Sequence, residues 1–280
     1  MEKTFALIGH PVAHSLSPIM HNAAFKSLEL PHIYVKFDVQ PQRLKDAVIG
    51  MKALGIGGFN VTVPHKVAIL PYLDEVDEQA SVIGAVNTVV NENGRWIGTN
   101  TDGRGFLLSL QDVAGDRLPD CRVLMIGAGG AARAAAAALD EEGVKRLDVA
   151  NRTLEKAHGI KTGPAHRTDG TVVSLAEAEE CVGEYDIIIN TTSVGLHPNA
   201  EAMPISLSRL RERTIVADLI YNPLKTKWLR VAEEKGAVVM NGVGMFVAQG
   251  ALAFERWTGY APDRRLMRRI VLDELGGERS

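Results

Sequence analysis

The chain has 280 residues, 46% of them hydrophobic and 23% charged, with a formal net charge of −3. At roughly 150 residues per domain this predicts two globular domains, and the composition is too apolar for disorder. The charge provides no broad basic field, which excludes nucleic acid and anionic lipid as main partners and leaves any anionic ligand to a few placed groups.

Short β-branched runs alternate with amphipathic stretches, the pattern of βα units and mainly parallel sheets. Residues 4–8 read as a strand, 18–28 as a helix, 32–39 as a strand, 42–54 as a helix and 59–63 as a third strand. Strands over 86–92 and 95–100 flank Asn93-Gly94, a two-residue hairpin signal because both residues tolerate positive φ. A connecting helix is predicted over 106–113. A second series then begins with a strand over 122–126, a glycine-rich turn and a helix over 131–142. Strands follow over 146–150, 186–190, 215–218 and 237–240, and the chain closes with helices over 245–258 and 264–275. The polar, glycine-rich stretch 159–170 reads as a loop. The alanine run 131–138 reads as a helix able to approach a sheet closely. The expected fold class is therefore α/β: two α/β domains, with the cleft between them as the place for a ligand.

Two cysteines, Cys121 and Cys181, are too few and too far apart for a disulfide framework or a zinc site. His10 and His14 are four apart, but Pro11 between them argues against a helical metal pair, and no metal site is expected. No apolar run approaches the ~18 residues of a membrane span. The apolar lead from Phe5 to Ile8 is too short for a secretion signal, so a cytoplasmic protein is expected. Trp96, Trp228 and Trp257 could serve either core or interface.

Gly127-Ala128-Gly129-Gly130-Ala131-Ala132 fits a G-x-G-x-x-G/A turn and directly follows a strand and opens a helix, the context that makes the pattern informative. The first glycine permits the turn and the second lets a pyrophosphate touch the backbone. The small last residue lets helix and strand pack, while helix-start amides face the anion. An NAD site usually carries an acidic residue about 20 positions on, to hold the ribose 2′-OH. Here Asn151-Arg152-Thr153 stands there, with Lys156 nearby. A guanidinium and a hydroxyl bind a 2′-phosphate through charge-assisted contacts that an acid would forbid, so NADP is favoured over NAD.

Four polar islands stand out in the first half: His14-Ser15-Leu16-Ser17-Pro18, Asn60-Val61-Thr62-Val63-Pro64-His65-Lys66, Asn87-Thr88, and Asn100-Thr101-Asp102-Gly103. Ser15 and Ser17, beside the amides of a helix opened by Pro18, make either a carboxylate site or a simple helix cap. Thr62 and Lys66 lie four apart, across a strand end and a helix start at Pro64. Interconverting a ketone and an alcohol requires a proton to move at oxygen. A lysine can do this if its pKa falls from ~10.4 towards ~7–8, and Asp102 is the candidate group to orient the ammonium. Asn60, Thr62 and Asn87 are short donors and acceptors suited to a polyol ring.

With the glycine turn, with Asp218-Leu219-Ile220-Tyr221-Asn222-Pro223, and with Gly242-Val243 through Gln249-Gly250-Ala251, these islands resemble the shikimate dehydrogenase family over nearly the whole chain. The resemblance implies NADP-dependent reduction of 3-dehydroshikimate to shikimate in aromatic amino-acid biosynthesis. It implies a substrate domain of residues 1–102 with 243–280, and a Rossmann-type NADP domain of residues 103–242. It makes Lys66 the acid/base and Asp102 its companion, and gives Ser15 and Ser17 the substrate carboxylate. Thr62, Asn87, Tyr221 and Gln249 go to the substrate, while Leu219 and Gly242 go to the nicotinamide. Gly127, Ala128, Gly129, Gly130, Ala131, Asn151, Arg152, Thr153 and Lys156 go to the rest of the cofactor. Asn60 is assigned either to substrate or to bracing its loop. His21 and His65 sit in family motifs without a clear chemical task. The departure is at 157–170, where the apolar helix that family members often carry is expected to be missing. Competing readings are a dual quinate/shikimate dehydrogenase and a non-catalytic NADP-binding regulator. Methylenetetrahydrofolate dehydrogenase has a similar plan, but no polar set here suits a folate. A monomer or homodimer is expected.

Overall fold

The computed structural model describes residues 2–161 and 167–276. The chain forms two compact units, Met1–Thr101 with Val247–Ser280, and Asp102–Phe246.

In the first unit, β1 (Thr4–Gly9) is buried along nearly its whole length, which a strand covered on both faces demands. It pairs in parallel with β2 (Ile33–Asp38) and β3 (Gly58–Val61), through crossovers made by α1 (Ser17–Ser27) and α2 (Leu44–Ala53). A single turn, α3 (His65–Ala68), follows β3, and then β4 (Glu75–Val76) and α4 (Glu78–Ile83). The antiparallel hairpin β5 (Thr88–Glu92) and β6 (Arg95–Thr99) turns at Asn93 and Gly94, with φ of 54° and 82°. The sheet runs β2-β1-β3-β5-β6-β4. One face buries Ile8, Val48, Met51, Phe59 and Trp96.

The second unit begins with α5 (Asp102–Ala114), four residues earlier than predicted, because Gly103 and Gly105 weaken the helical signal of its first turn. There follow β7 (Arg122–Ile126), α6 (Gly130–Glu142), β8 (Arg146–Ala150), α7 (Leu154–Lys161), β9 (Val172–Val173) and α8 (Leu175–Cys181). The series continues with β10 (Ile187–Asn190), β11 (Ile215–Asp218), α9 (Lys227–Glu234) and β12 (Val238–Met240). The sheet is wholly parallel, in the order β12-β11-β10-β7-β8-β9, so the winding reverses between β7 and β10. That reversal opens a crevice at the carboxyl ends of the strands, the usual ligand position in such sheets. Ala132, Ala135, Ala136 and Leu139 of α6 pack with Phe106 and Leu110 on one face; Ala178, Val182, Trp228 and Leu229 cover the other.

The loop expected over 159–170 is corrected in part. α7 reaches Lys161 because Ala157 and Ile160, three apart, bury against the sheet despite Gly159 between them. A helix therefore does follow Arg152, contrary to the departure expected there. Residues 162–166 of that stretch lie outside the described residues. α10 (Val243–Thr258) and α11 (Arg264–Glu274) end the chain, and α11 packs on α1. Phe254 and Trp257 of α10 join Phe5, His21, Phe25 and Tyr34 in one aromatic cluster, and Trp257 Nε1 donates to Val89 O at 3.0 Å. All three tryptophans are core residues.

Candidate active site

In the first unit Ser15, Ser17, Thr62 and Lys66 lie on segments that leave the carboxyl ends of β1 and β3, Asn87 directly precedes β5, and Gln249 lies on α10. The segment after β1 carries Ser15, whose hydroxyl donates to Ser17 Oγ at 3.2 Å and accepts the Ser17 N–H at 3.3 Å. Leu16, with no side-chain cap bond, is the N-cap of α1, so neither serine is the cap residue and both hydroxyls stand at the helix start. The segment after β3 carries Thr62 and Lys66. Thr62 N donates to Ile8 O, His65 N donates to Thr62 O, and Lys66 O accepts Val86 N, so the turn is tied to β1 and to the strand approach of β5. Both side chains are half-buried. His65 is structural: its Nε2 meets Val39 O at 2.7 Å, and the ring is 1% exposed.

Asn87 is the hub. Its Oδ1 accepts Thr101 N at 2.8 Å and Thr88 Oγ1 at 3.1 Å. Its Nδ2 donates to Thr101 Oγ1 at 2.9 Å and to Gln249 Oε1 at 3.4 Å. The last contact joins residues 162 apart in sequence, through the return of α10 to this unit. Asn60 resolves as a brace: Oδ1 accepts the Tyr34 hydroxyl at 2.7 Å, and Nδ2 donates to Thr88 Oγ1 at 3.0 Å and Asn87 O at 3.2 Å. Tyr34, Thr88 and Thr101 were not singled out from the sequence. The threonines sit inside the polar islands and were legible as neighbours, whereas Tyr34 lies in an otherwise ordinary edge strand and carried no signal.

In the second unit, Asp102 opens α5 and is 4% exposed. Gly127 has φ +116°, and a Cβ there would lie 2.3 Å from Thr191 Oγ1, so only glycine fits between β7 and the loop after β10. Gly129 is the extended N-cap of α6 with no side-chain cap bond, leaving the amides at that helix start to another acceptor. Asn151 Nδ2 donates to Thr153 O at 2.7 Å, shaping a turn from which Arg152 and, one helical turn on, Lys156 stand exposed.

Leu219 and Gly242 are brought together: a Cβ on Gly242 would lie 2.2 Å from Leu219 O. Tyr221 stacks on Phe246, centroids 4.4 Å apart. Asp218, fully buried, holds this corner, with Oδ1 accepting Asn190 Nδ2 and Ile220 N and Oδ2 accepting Thr226 Oγ1 at 2.8 Å. Burial raises its pKa to about 6, against the pull of those three hydrogen bonds. Asn190 in turn accepts Thr192 N and Oγ1, fixing the loop beside Gly127.

A dinucleotide with a 2′-phosphate fits these residues: a side-chain-free turn, free helix-start amides and an exposed guanidinium with no acid at the next strand end. The comparisons agree along the length of the chain. Residues 7–89 match the model of the shikimate dehydrogenase substrate binding domain, residues 109–220 that of shikimate / quinate 5-dehydrogenase, and residues 242–272 that of the shikimate 5'-dehydrogenase C-terminal domain. A shikimate dehydrogenase (NADP(+)) of Geobacillus sp. (strain WCH70) is 54% identical over 277 residues, covering 99% of this chain and 100% of that protein. Among solved structures, a shikimate dehydrogenase in complex with NADP+ superposes with TM-score 0.90 at 44% identity, over 98% of this chain and 96% of that one. The Thermus thermophilus enzyme in complex with NADP(H) and shikimate gives TM-score 0.87 at 39% identity, over 97% of this chain and 99% of that one. On its two sheets, its ordered motifs and its full-length matches, the chain belongs to the shikimate dehydrogenase family.

Proposed function

We propose that the chain catalyses the reversible, NADP-dependent reduction of 3-dehydroshikimate to shikimate, with Lys66 as the acid/base. The observation that carries this reading is the full-length match to an NADP(+) shikimate dehydrogenase, in a chain whose glycine turn is followed by Arg152 rather than an acid. Gly127 to Ala131 would hold the pyrophosphate of NADP, and Asn151, Arg152, Thr153 and Lys156 its 2′-phosphate; bound there, the cofactor would provide the hydride for reduction and take it up in the reverse direction. Leu219 and the bare backbone of Gly242 offer a flat apolar wall for the nicotinamide.

The chain's own residues do the rest. Ser15 and Ser17 bind the substrate carboxylate with hydroxyls already turned to one another at a helix start. Thr62, Asn87, Gln249 and Tyr221 hydrogen-bond the ring hydroxyls. Lys66 gives a proton to the oxygen that becomes the alcohol and takes it back in the reverse direction. Asp102 accepts a hydrogen bond from that hydroxyl. We assign residues 1–102 with 243–280 to the substrate domain and residues 103–242 to the NADP domain, bounds that lie one and four residues from those of the two compact units. No helix of the described residues is long and apolar enough to cross a membrane. We place the enzyme in the cytoplasm, as a monomer or homodimer.

The test is Lys66→Ala, followed by the absorbance of NADPH with shikimate and NADP+. A loss in kcat of roughly 10²–10⁴ is expected, the usual contribution of a positioned acid/base. A kcat within a few-fold of wild type removes the assigned role. Quinate with NAD+ in the same assay reads out the dual specificity that the name of the model matched by residues 109–220 raises. No turnover by the wild type with either pair would leave a non-catalytic NADP-binding protein.

A further inference from the structure

We propose that Tyr34 is a positioning residue for the substrate site: its phenol starts a one-way chain of hydrogen bonds that holds the Asn87 amide in its working orientation. The proposal rests on the reading of Asn87 as a substrate contact. Tyr34 is 1% exposed on β2, and its ring stacks on His21 with centroids 4.4 Å apart and planes 14° from parallel. The hydroxyl emerges from that aromatic cluster and donates to Asn60 Oδ1 at 2.7 Å.

The donor direction follows link by link. With its oxygen held by Tyr34 and its Nδ2 also donating to Asn87 O at 3.2 Å, Asn60 turns Nδ2 to Thr88 Oγ1 at 3.0 Å. Having accepted, Thr88 gives its own proton to Asn87 Oδ1 at 3.1 Å, the nearer of its two acceptors, Thr101 Oγ1 lying at 3.3 Å. A backbone N–H can only donate, and Thr101 N reaches the same Asn87 oxygen at 2.8 Å, so both neighbours demand the same amide orientation. Asn87 Nδ2 is thereby turned to Thr101 Oγ1 and Gln249 Oε1. Asn60, Thr88, Asn87 and Thr101 are all buried, where an unmatched polar atom is costly and alternative partners are few. Burial pushes the Tyr34 phenol well above its ordinary range, with the Ser17 hydroxyl beside it pulling the other way, so the proton that starts the chain stays in place. Through Ser17 the same phenol also adjoins the hydroxyl pair assigned to the carboxylate.

Removing the hydroxyl takes away one of the two groups, with the Asn87 carbonyl, that hold the Asn60 amide the right way round. The Asn60 donor to Thr88 is then held less firmly, and with it the Thr88 bond to Asn87 Oδ1. The experiment is steady-state kinetics of Tyr34→Phe with shikimate and NADP+, in a double-mutant cycle with Asn87→Ala. A rise of roughly 3- to 10-fold in KM for shikimate is expected, the worth of about one neutral hydrogen bond, with KM for NADP+ within twofold of wild type. In the Asn87→Ala background the same change should alter KM by less than twofold. Thr88→Val cuts the chain at its third link, should reproduce the rise, and replaces Tyr34→Phe if that variant does not fold. An unchanged KM for shikimate, an equal rise for NADP+, or fully multiplicative effects in the double variant overturns the proposal alone. A wild-type chain that does not turn over shikimate defeats the functional reading, and this proposal with it.

Discussion

His21 shows what burial does to a titratable side chain that the chemistry does not use. It is fully buried on α1, stacked on Tyr34 and near Phe254 and Trp257, and among the described residues neither ring nitrogen has a hydrogen-bond partner. Burial disfavours the imidazolium and lowers the pKa to about 3. The folded protein therefore refuses a proton that the unfolded chain takes up at its ordinary value near 6.5. Stability from this group is complete above that value and falls as pH drops from about 6.5 towards about 3, by about 1.4 kcal/mol per pH unit at most. His21→Phe keeps a flat ring in the stack and removes the titration. Urea unfolding at pH 7.5 and pH 5 should show the variant gaining on wild type by about 2 kcal/mol as pH falls. A stability difference that does not change with pH would mean that the ring is protonated in the fold. In the sequence His21 stood in a motif without a task, and the reason is now physical: it is a core ring. Lys66, Ser17 and Asn87 stand out as candidates because their islands carry chemistry on their face, whereas Tyr34 meets Asn60 through a contact 26 residues away in sequence.

At the scale of elements, legibility followed burial. The strands β7, β8 and β11 match the predicted 122–126, 146–150 and 215–218 to the residue, since strands covered on both faces read as largely apolar runs, broken within β8 by the buried Asp148 and closed in β11 by Asp218. Two-residue strands such as β4 and β9 have no period to read. α8 was readable but missed: Ser174 and Glu177 form a capping box, a signal placed three residues apart before a weak helix. The edge strand β2 poses a different problem, for it leaves Ile33 and Phe37 exposed at 44% and 41% beside an unpaired backbone. Such an edge invites another strand. Asn22 of α1 closes it in the middle, donating from Nδ2 to Tyr34 O at 2.9 Å and accepting Tyr34 N at 2.8 Å, as a neighbouring strand would. Asn22→Ala is expected to cost about 1–3 kcal/mol and to bring concentration-dependent light scattering, because the edge opens between two exposed apolar side chains. Unchanged unfolding midpoints and a monodisperse sample would show that the edge is guarded by something else.

For the whole molecule, a net charge of −3 means that no general field gathers an anionic ligand, so recognition of a 2′-phosphate has to be local. The fold supplies the place: the strand end of β8 follows the glycine turn of β7 in a parallel sheet, where the adenosine side of a dinucleotide lies. Asp148, the acid in this strand, is no obstacle. It is buried and taken up by Arg146, Tyr185 and Thr171, and although desolvation works to raise its pKa, those hydrogen bonds hold it below the ordinary value. On the proposed function, Arg152 is the principal charge assigned to the phosphate, with Lys156 one turn further along. Replacing Arg152 by alanine should raise KM for NADP+ by roughly 10- to 100-fold, the worth of a charge-assisted hydrogen-bond pair, and leave KM for NAD+ within about twofold. Because an exposed pair is screened by salt, the NADP+ preference of the wild type should also shrink between about 0.05 and 0.5 M salt, and that of Arg152→Ala should shrink much less. If the ratio of NADP+ to NAD+ efficiency is unmoved by both the substitution and the salt, cofactor choice is not made at this strand end, and the phosphate must be read by the backbone amides of the turn alone.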